Sequence, residues 1–275
     1  MDPTERYTAA AVAASAVVIR QYSTSFSMAS RMMPRRVRPH ITSIYGLVRV
    51  ADEVVDGACA VDPRAHLDGL EFATERAMQT GFSTDLVVHA FANTARTTGF
   101  GTELTRPFFA SMRADLTPAP HTAESLAEYI HGSAEVVGLM CLRAYLHGVA
   151  PSDYEALAPD ARRLGAGFQK VNFLRDLTDD ELRLGRAYLP ELTAQAYAEA
   201  LADARTDLEQ ARRGIDRLPR DVQRGVRAAA DLYVALLRRL EAAGLDGARA
   251  GRIRVPATAK LLAVARGSRS GRGTR

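Results

Sequence analysis

Gln169-Lys170-Val171-Asn172-Phe173-Leu174-Arg175-Asp176-Leu177-Thr178-Asp179-Asp180 is the stretch that decides the fold. Gln169, Asn172, Asp176 and Asp180 step by three, four and four residues, the spacing of one α-helical face. Phe168, Val171, Phe173, Leu174 and Leu177 surround that stripe with apolar surface. A plain solvent face does not combine the two. The stripe is either a polar network buried between helices or a ligand site in a helical cavity. Asp179 is a further candidate ligand, about 60° around the helix from Asp176.

A second acidic pair lies about 120 residues upstream, in Arg49-Val50-Ala51-Asp52-Glu53-Val54-Val55-Asp56-Gly57. Asp52 and Asp56 have the same Asp-x-x-x-Asp form as Asp176 and Asp180, which sets two carboxylates one turn apart on one face. Like charges at that spacing cost a few tenths of a kcal/mol unless a cation lies between them. The pair also falls at the negative end of its helix, where acid is unfavourable. Mg²⁺ suits such a site, because it takes oxygen ligands and is held by one or two carboxylates plus substrate phosphates; Mn²⁺ is the substitute to expect. Arg49, three residues before Asp52, would hold a phosphate beside the metal. The plainer reading is a solvated acidic helix end with an Arg ion pair.

The 275 residues are 47% hydrophobic and 25% charged, ordinary for a globular chain large enough to bury a core. Strand-like runs are scarce and Ala, Leu and Arg dominate, so the expected class is all-α. Cys59 and Cys141 are the only cysteines, which excludes a disulfide framework and points to a reducing compartment. The start Met1-Asp2-Pro3-Thr4-Glu5 has no basic n-region, and no run of 18 apolar residues occurs; neither a signal peptide nor a spanning helix is expected. The net charge of +4 comes from the end of the chain: residues 249–275 hold eight basic residues and no acidic one, and the rest has 28 basic against 32 acidic. Residues 266–275 read as a basic, disordered tail. Arg254 and Lys260, in a more structured stretch, are within reach of a phosphate.

Helices are expected over Thr8–Gln21, His40–Val55, from Pro63 to near Gly81, Thr84–Thr98, Thr102–Asp115 and Thr122–His147. Others run from Pro151 to Leu182 with a weak point at Gly165 to Gly167, over Thr193–Leu218, over Arg220–Ala243, and from Pro256 onward. Nothing marks a repeat or a linker, so residues 1–265 read as one helical domain.

These residues resemble the squalene/phytoene synthase family, the head-to-head prenyl synthases. The family's Arg-x-x-Asp-x-x-x-Asp helix end is similar to Arg49, Asp52 and Asp56 with Gly57 following. Its Gln-x-x-Asn-x-x-Arg-Asp-x-x-x-Asp, then Gly-Arg-x-Tyr-Leu-Pro, is similar to Gln169, Asn172, Arg175, Asp176, Asp180 and Gly185 to Pro190. Tyr22-Ser23-Thr24-Ser25-Phe26 resembles the Ser-x-Ser-Phe segment, and Tyr129 with Val137-Gly138 resembles the central helix. Two departures stand out. Ala134-Glu135-Val136 replaces the common Ala-Gly-Thr, a change to the pocket wall or a proton relay; Gly244-Leu245-Asp246 replaces Gly-Tyr-Asp.

The resemblance implies an all-α bundle of the isoprenoid synthase type with a central apolar cavity. It implies condensation of two prenyl diphosphates through a cyclopropyl diphosphate. Asp52, Asp56, Asp176 and Asp180 would be the metal ligands and, with Arg49 and Tyr129, the catalytic set. Ser25, Phe26, Tyr45, Gln169, Asn172, Arg175, Arg186 and Arg254 would contact substrate, although Phe26 and Tyr45 also read as plain core. No Gly-x-Gly-x-x-Gly follows a strand, so NADPH is not expected. Absence of the C-terminal anchor of eukaryote-like squalene synthases favours phytoene synthase, acting on geranylgeranyl diphosphate. Alternatives are a squalene or dehydrosqualene synthase using farnesyl diphosphate, a class I terpene cyclase, and a non-catalytic scaffold with a basic tail. The expected location is the cytoplasm, with peripheral membrane contact by way of lipid substrates and no nucleic-acid partner.

Overall fold

Single residues set the helix ends. Asp62, Asp85 and Thr193 cap the helices that follow them, their side chains accepting from backbone N–H groups two or three residues on at 2.8–3.1 Å, and Thr122 does the same at 3.2 Å, which satisfies donors a helix start leaves open. Gly81 and Gly99 close helices at φ 84° and 77°, a left-handed turn that glycine adopts without strain. The computed structural model describes residues 2–149, 154–179, 184, 186, 188 and 193–256. Among them the chain is all-α with no strand: α1 (Pro3–Tyr22), α2 (Thr24–Arg31), α3 (Arg38–Val55), α4 (Pro63–Thr80), α5 (Leu86–Thr98), α6 (Thr102–Ala114), α7 (Ala123–Ile130), a π-turn (His131–Glu135), α8 (Val136–Leu146), α9 (Tyr154–Asp179), α10 (Ala194–Arg217) and α11 (Arg220–Arg249).

Two larger hydrophobic clusters hold the bundle, and a third, smaller one gathers Tyr129, Phe173 and Tyr188. One gathers Leu47, Phe91, Phe108, Phe109 and Met140 from α3, α5, α6 and α8. The other gathers Leu174, Tyr197, Leu208 and Leu237 from α9, α10 and α11. Each such side chain contributes about 1.5–3 kcal/mol on burial. α9 packs on α8, the π-turn, α10 and α11, so its polar stripe faces inward between the clusters.

Several expectations need correction. Ser23, by accepting from Phe26 N–H at 3.1 Å, starts α2, a helix not foreseen. The helix before Val55 starts at Arg38, because Pro39 fits a first turn. The helix from Thr122 contains the π-turn. α9 runs unbroken through Gly165 to Gly167: a Cβ on Gly165 would collide with the Ala134 carbonyl, and one on Gly138 with that of Ala161. Glycine there lets two helix backbones touch; it is not a weak point. α11 continues past Ala243 to Arg249, bending at Gly244 (φ 64°, ψ −175°). The helix expected from Pro256 and the basic tail lie outside the described residues. No helix among those described is long and apolar enough to cross a membrane.

These contacts set opposite expectations for two glycines. Gly165→Ala should cost about 1–3 kcal/mol in urea unfolding through overpacking. Gly69→Ala, inside α4 with nothing within 4 Å of the new methyl, should gain about 0.5–1 kcal/mol.

Candidate functional site

The stripe of α9 and the end of α3 meet in one cavity of about 520 Å³. Arg49, Asp52, Asp56, Gln169, Asn172, Arg175, Asp176 and Arg186 all line it, as do Phe26, Tyr45 and Tyr129. Farther along, its wall is apolar, with Ile41, Ile44, Val137, Leu142, Leu157 and Ile215. Most of the charge is gathered at one part of a largely hydrocarbon chamber, apart from Asp160, which lies near Arg163 and Arg217. Phe26 and Tyr45, which also read as core, take the cavity-lining role, their rings 5.8 Å apart.

On α3, Arg49 pairs with Glu53 and lies 3.8 Å from Asp52, with its guanidinium 4.6 Å over the Tyr22 ring. Burial, then the neighbouring Asp56, push the Asp52 carboxyl up to about 7 against the pull of Arg49. Asp56 is held by Arg186 at 2.9 Å. On α9, Arg175 and Arg252 both pair with Asp176, Arg252 at 2.9 Å. Asn172 accepts from the Tyr233 hydroxyl at 3.3 Å.

Arg186 links this mouth to a group that sequence reasoning missed. Its guanidinium, 8% exposed, lies 3.4 Å from the Asp115 carboxylate and donates to the Val55 carbonyl at 3.0 Å. Tyr129 and Tyr188 donate to the two Asp115 oxygens at 2.9 and 3.3 Å. Burial pushes Asp115 up to about 6, opposed by Arg186 and the two hydroxyls. Burial works against the Arg186 charge, but Asp115, Tyr188 and Asp56 move it upward on balance. The Tyr129 hydroxyl is pushed well up, first by burial and then by Asp115.

Other predicted residues fall elsewhere. Arg254 is exposed and does not line the cavity; Arg252 takes the place expected of it, because Thr178 donates to the carbonyls of Ala248 and Arg249 at 3.2 and 3.1 Å and so fixes the end of α11 beside Asp176. Glu135 turns to His131 Nδ1 at 2.9 Å and is not a lining residue; Leu245 packs on the second cluster. Asp180 and Lys260, and the side chains of Ser25 and Asp179, lie outside the described residues. Asp115 had no local signal; Tyr188 stood inside a quoted motif.

Do these residues fit a divalent cation? Among the described residues, no three His, Cys, Asp or Glu side chains converge on one point. Mg²⁺ does not require that, since water and substrate phosphates fill its shell. The donors are all carboxylate oxygens, and a cation would relieve the repulsion between Asp52 and Asp56. Arg49 keeps a buried Nε with no hydrogen-bond partner, a donor that suits an anionic oxygen, whereas the Arg186 Nε already faces an Asp115 oxygen at 3.4 Å. The site fits both halves of a metal diphosphate.

The raised Asp52 value has a sign. Between about pH 4 and 7 the folded chain holds a proton that the unfolded chain has released, so this group lowers stability as pH rises through that window. The side chain is 32% exposed, and water screens part of the effect. In metal-free buffer, Asp52→Asn should be more stable than the parent by about 1–3 kcal/mol at pH 8, with the difference vanishing near pH 4 in urea titrations.

A family model for squalene/phytoene synthase matches residues 19–197 and 191–259. A 15-cis-phytoene synthase from Synechococcus elongatus is 31% identical, across 90% of this chain and 89% of that one. Another from a Paracoccus species is 33% identical across 65% of this chain, which spans 60% of that relative's length. A crystal structure of a dehydrosqualene synthase in complex with ligand superposes with a TM-score of 0.82 at 21% identity, over 97% of this chain and 98% of that one.

Proposed function

The chain belongs to the squalene/phytoene synthase family, and from that premise we propose that it joins two prenyl diphosphates head to head. The carrying observation is the meeting of two acidic helix faces, each with guanidinium partners, at one part of a single apolar cavity. Geranylgeranyl diphosphate is the substrate we favour, and phytoene the product, in line with the two phytoene synthase relatives.

Asp52, Asp56 and Asp176, with Asp180 of the same motif, would hold the divalent cations, Mg²⁺ first. The metal would supply Lewis-acid stabilisation to the leaving diphosphate. Arg49, Arg175 and Arg252 would bind phosphate oxygens, exchanging the carboxylates they now hold for phosphate as the carboxylates take the metal, while Arg186 would turn from Asp56 toward phosphate and keep its pair with Asp115. Preorganised guanidiniums aimed at charge that grows as the C–O bond breaks lower the barrier. Asn172, fixed by Tyr233, would orient the diphosphate together with Gln169. Phe26, Tyr45 and Phe168 would present ring faces to the hydrocarbon, whose developing cations such faces favour. The apolar wall would exclude the water that otherwise quenches a cation. Tyr129 is tied to Asp115, so its first role would be to fix the corner of the mouth.

Purified protein with Mg²⁺ and geranylgeranyl diphosphate should give a C40 hydrocarbon without NADPH, read by mass spectrometry of a hexane extract. A C30 product made only from farnesyl diphosphate would replace the C20 reading with the dehydrosqualene or squalene one. A cyclic hydrocarbon from one substrate molecule would overturn head-to-head coupling. Asp56→Asn and Asp176→Asn should each lower kcat by roughly 100-fold or more.

A further inference from the structure

Several hydroxyls inside these helices settle their hydrogen bonds locally. Thr42, Ser43 and Thr74 donate to the carbonyl four residues back at 2.8 Å, and Thr98 at 2.9 Å. Ser133 does not: its buried Oγ has no hydrogen-bond partner. The carbonyl four residues back belongs to Tyr129 and accepts from the Ser111 hydroxyl at 3.1 Å. Ser133 also lies in the π-turn, where Val136 N–H reaches back to the His131 carbonyl, so the preceding carbonyls leave α-helical register. Thr105 Oγ1 in α6 lacks a partner too, but it is away from the cavity. Ser133 is half-buried and lines it. Another staggered χ1 well would turn that hydroxyl toward the cavity, and an oxygen with no partner keeps its lone pairs free for positive charge that develops there.

Depth defines the partner. Tyr129, Ser133, Val137, Cys141 and Tyr145 step by four and all line the cavity. Ser133 lies one turn, about 5–6 Å, beyond Tyr129, whose hydroxyl ends on Asp115 beside the acidic mouth. With a diphosphate at that mouth, this is the depth of the first carbons of the prenyl chain. Those carbons carry no polar group until the C1–O bond breaks. Its electron pair then leaves on the diphosphate, and positive charge spreads over C1 and C3.

We infer that Ser133 is a catalytic residue whose hydroxyl turns into the cavity and sets its oxygen lone pairs toward the allylic cation. This rests on the prenyl diphosphate reading above. A neutral dipole fixed next to developing charge in a dry site acts far more strongly than it would in water. It also favours the ionised state over the bound substrate, so its effect belongs to kcat and not to KM.

The test compares the full-length parent with Ser133→Ala and Ser133→Thr. Without substrate, Ser133→Ala should be at least as stable to urea as the parent, since it removes an unsatisfied hydroxyl. A prenyl diphosphate analogue with an ammonium nitrogen at the cationic carbon should bind Ser133→Ala about 10-fold more weakly, while an uncleavable thiolodiphosphate binds both alike. kcat should fall about 10-fold at constant KM, and Ser133→Thr should restore most of it. Unchanged ammonium affinity and kcat in Ser133→Ala would overturn the inference and leave the prenyl reading standing. Equal losses for both analogues, or a loss of stability, would make Ser133 a wall residue and also overturn it. An alcohol product lost in Ser133→Ala would assign the hydroxyl to a bound water instead. If the parent turned over no prenyl diphosphate, the reading itself would fail and the inference with it.

Discussion

The buried guanidinium of Arg186, shared between Asp56 and Asp115, is the interaction on which the mouth of the cavity depends. It ties the end of α3, the end of α6 and the segment after α9 to one point. The carboxylates it serves stand where acid is least welcome, one at the negative end of a helix and the other 6% exposed. Removing one partner from such a cluster leaves a buried charge uncompensated, typically at 3–5 kcal/mol. Tyr129 and Tyr188 then pack and hydrogen-bond around the same carboxylate, and Phe173 stacks on Tyr188 with ring centroids 3.9 Å apart. The inner face of α9 is therefore positioned by electrostatics at the mouth and by packing farther in.

The same arrangement makes the mouth nearly self-neutral without a ligand. Arg49 lies against Glu53 and Asp52, Arg175 and Arg252 against Asp176, and Arg186 against Asp56 and Asp115. On the proposed reading, a metal diphosphate enters by exchange: cations go to carboxylates and phosphate oxygens to guanidiniums, with little change in local charge. That preserves the low net charge a cavity lined by Ile44, Leu142 and Ile215 needs in order to remain dry. It also explains why one acidic pair stays uncomfortable. Asp52 has Asp56 as a neighbour and only a distant share of Arg49, so its charge has most to gain from a divalent cation.

Much of this was legible in the amino-acid sequence because single residues set it. Pro63, Thr122 and Thr193 mark helix starts, Gly81 and Gly99 mark stops, and the stripe from Gln169 to Asp176 marks an inward face. What was not legible depends on distance along the chain. Asp115 stands alone in its local sequence; its partners Tyr129 and Arg186 are 14 and 71 residues away. Gly165 is locally identical whether it weakens a helix or admits a neighbour's backbone, and only Ala134 across the interface decides. Arg252 and Arg254 have similar local context, and the choice between them is made by Thr178 gripping the end of α11.

The π-turn shows how one local contact serves two ends. Gly132 presses on the Pro107 carbonyl and the Ser111 hydroxyl, with no room for a side chain. Ser111, so placed, donates to the Tyr129 carbonyl and fixes the residue whose hydroxyl holds Asp115. The same carbonyl lies four residues before Ser133, whose own hydroxyl does not make the bond that Thr42 and Thr98 make at that spacing. An ordered contact at the mouth therefore stands beside an unmet hydrogen bond one turn deeper, in the wall of an apolar chamber. Alanine there would avoid that cost, whereas serine keeps a polar oxygen in an apolar wall.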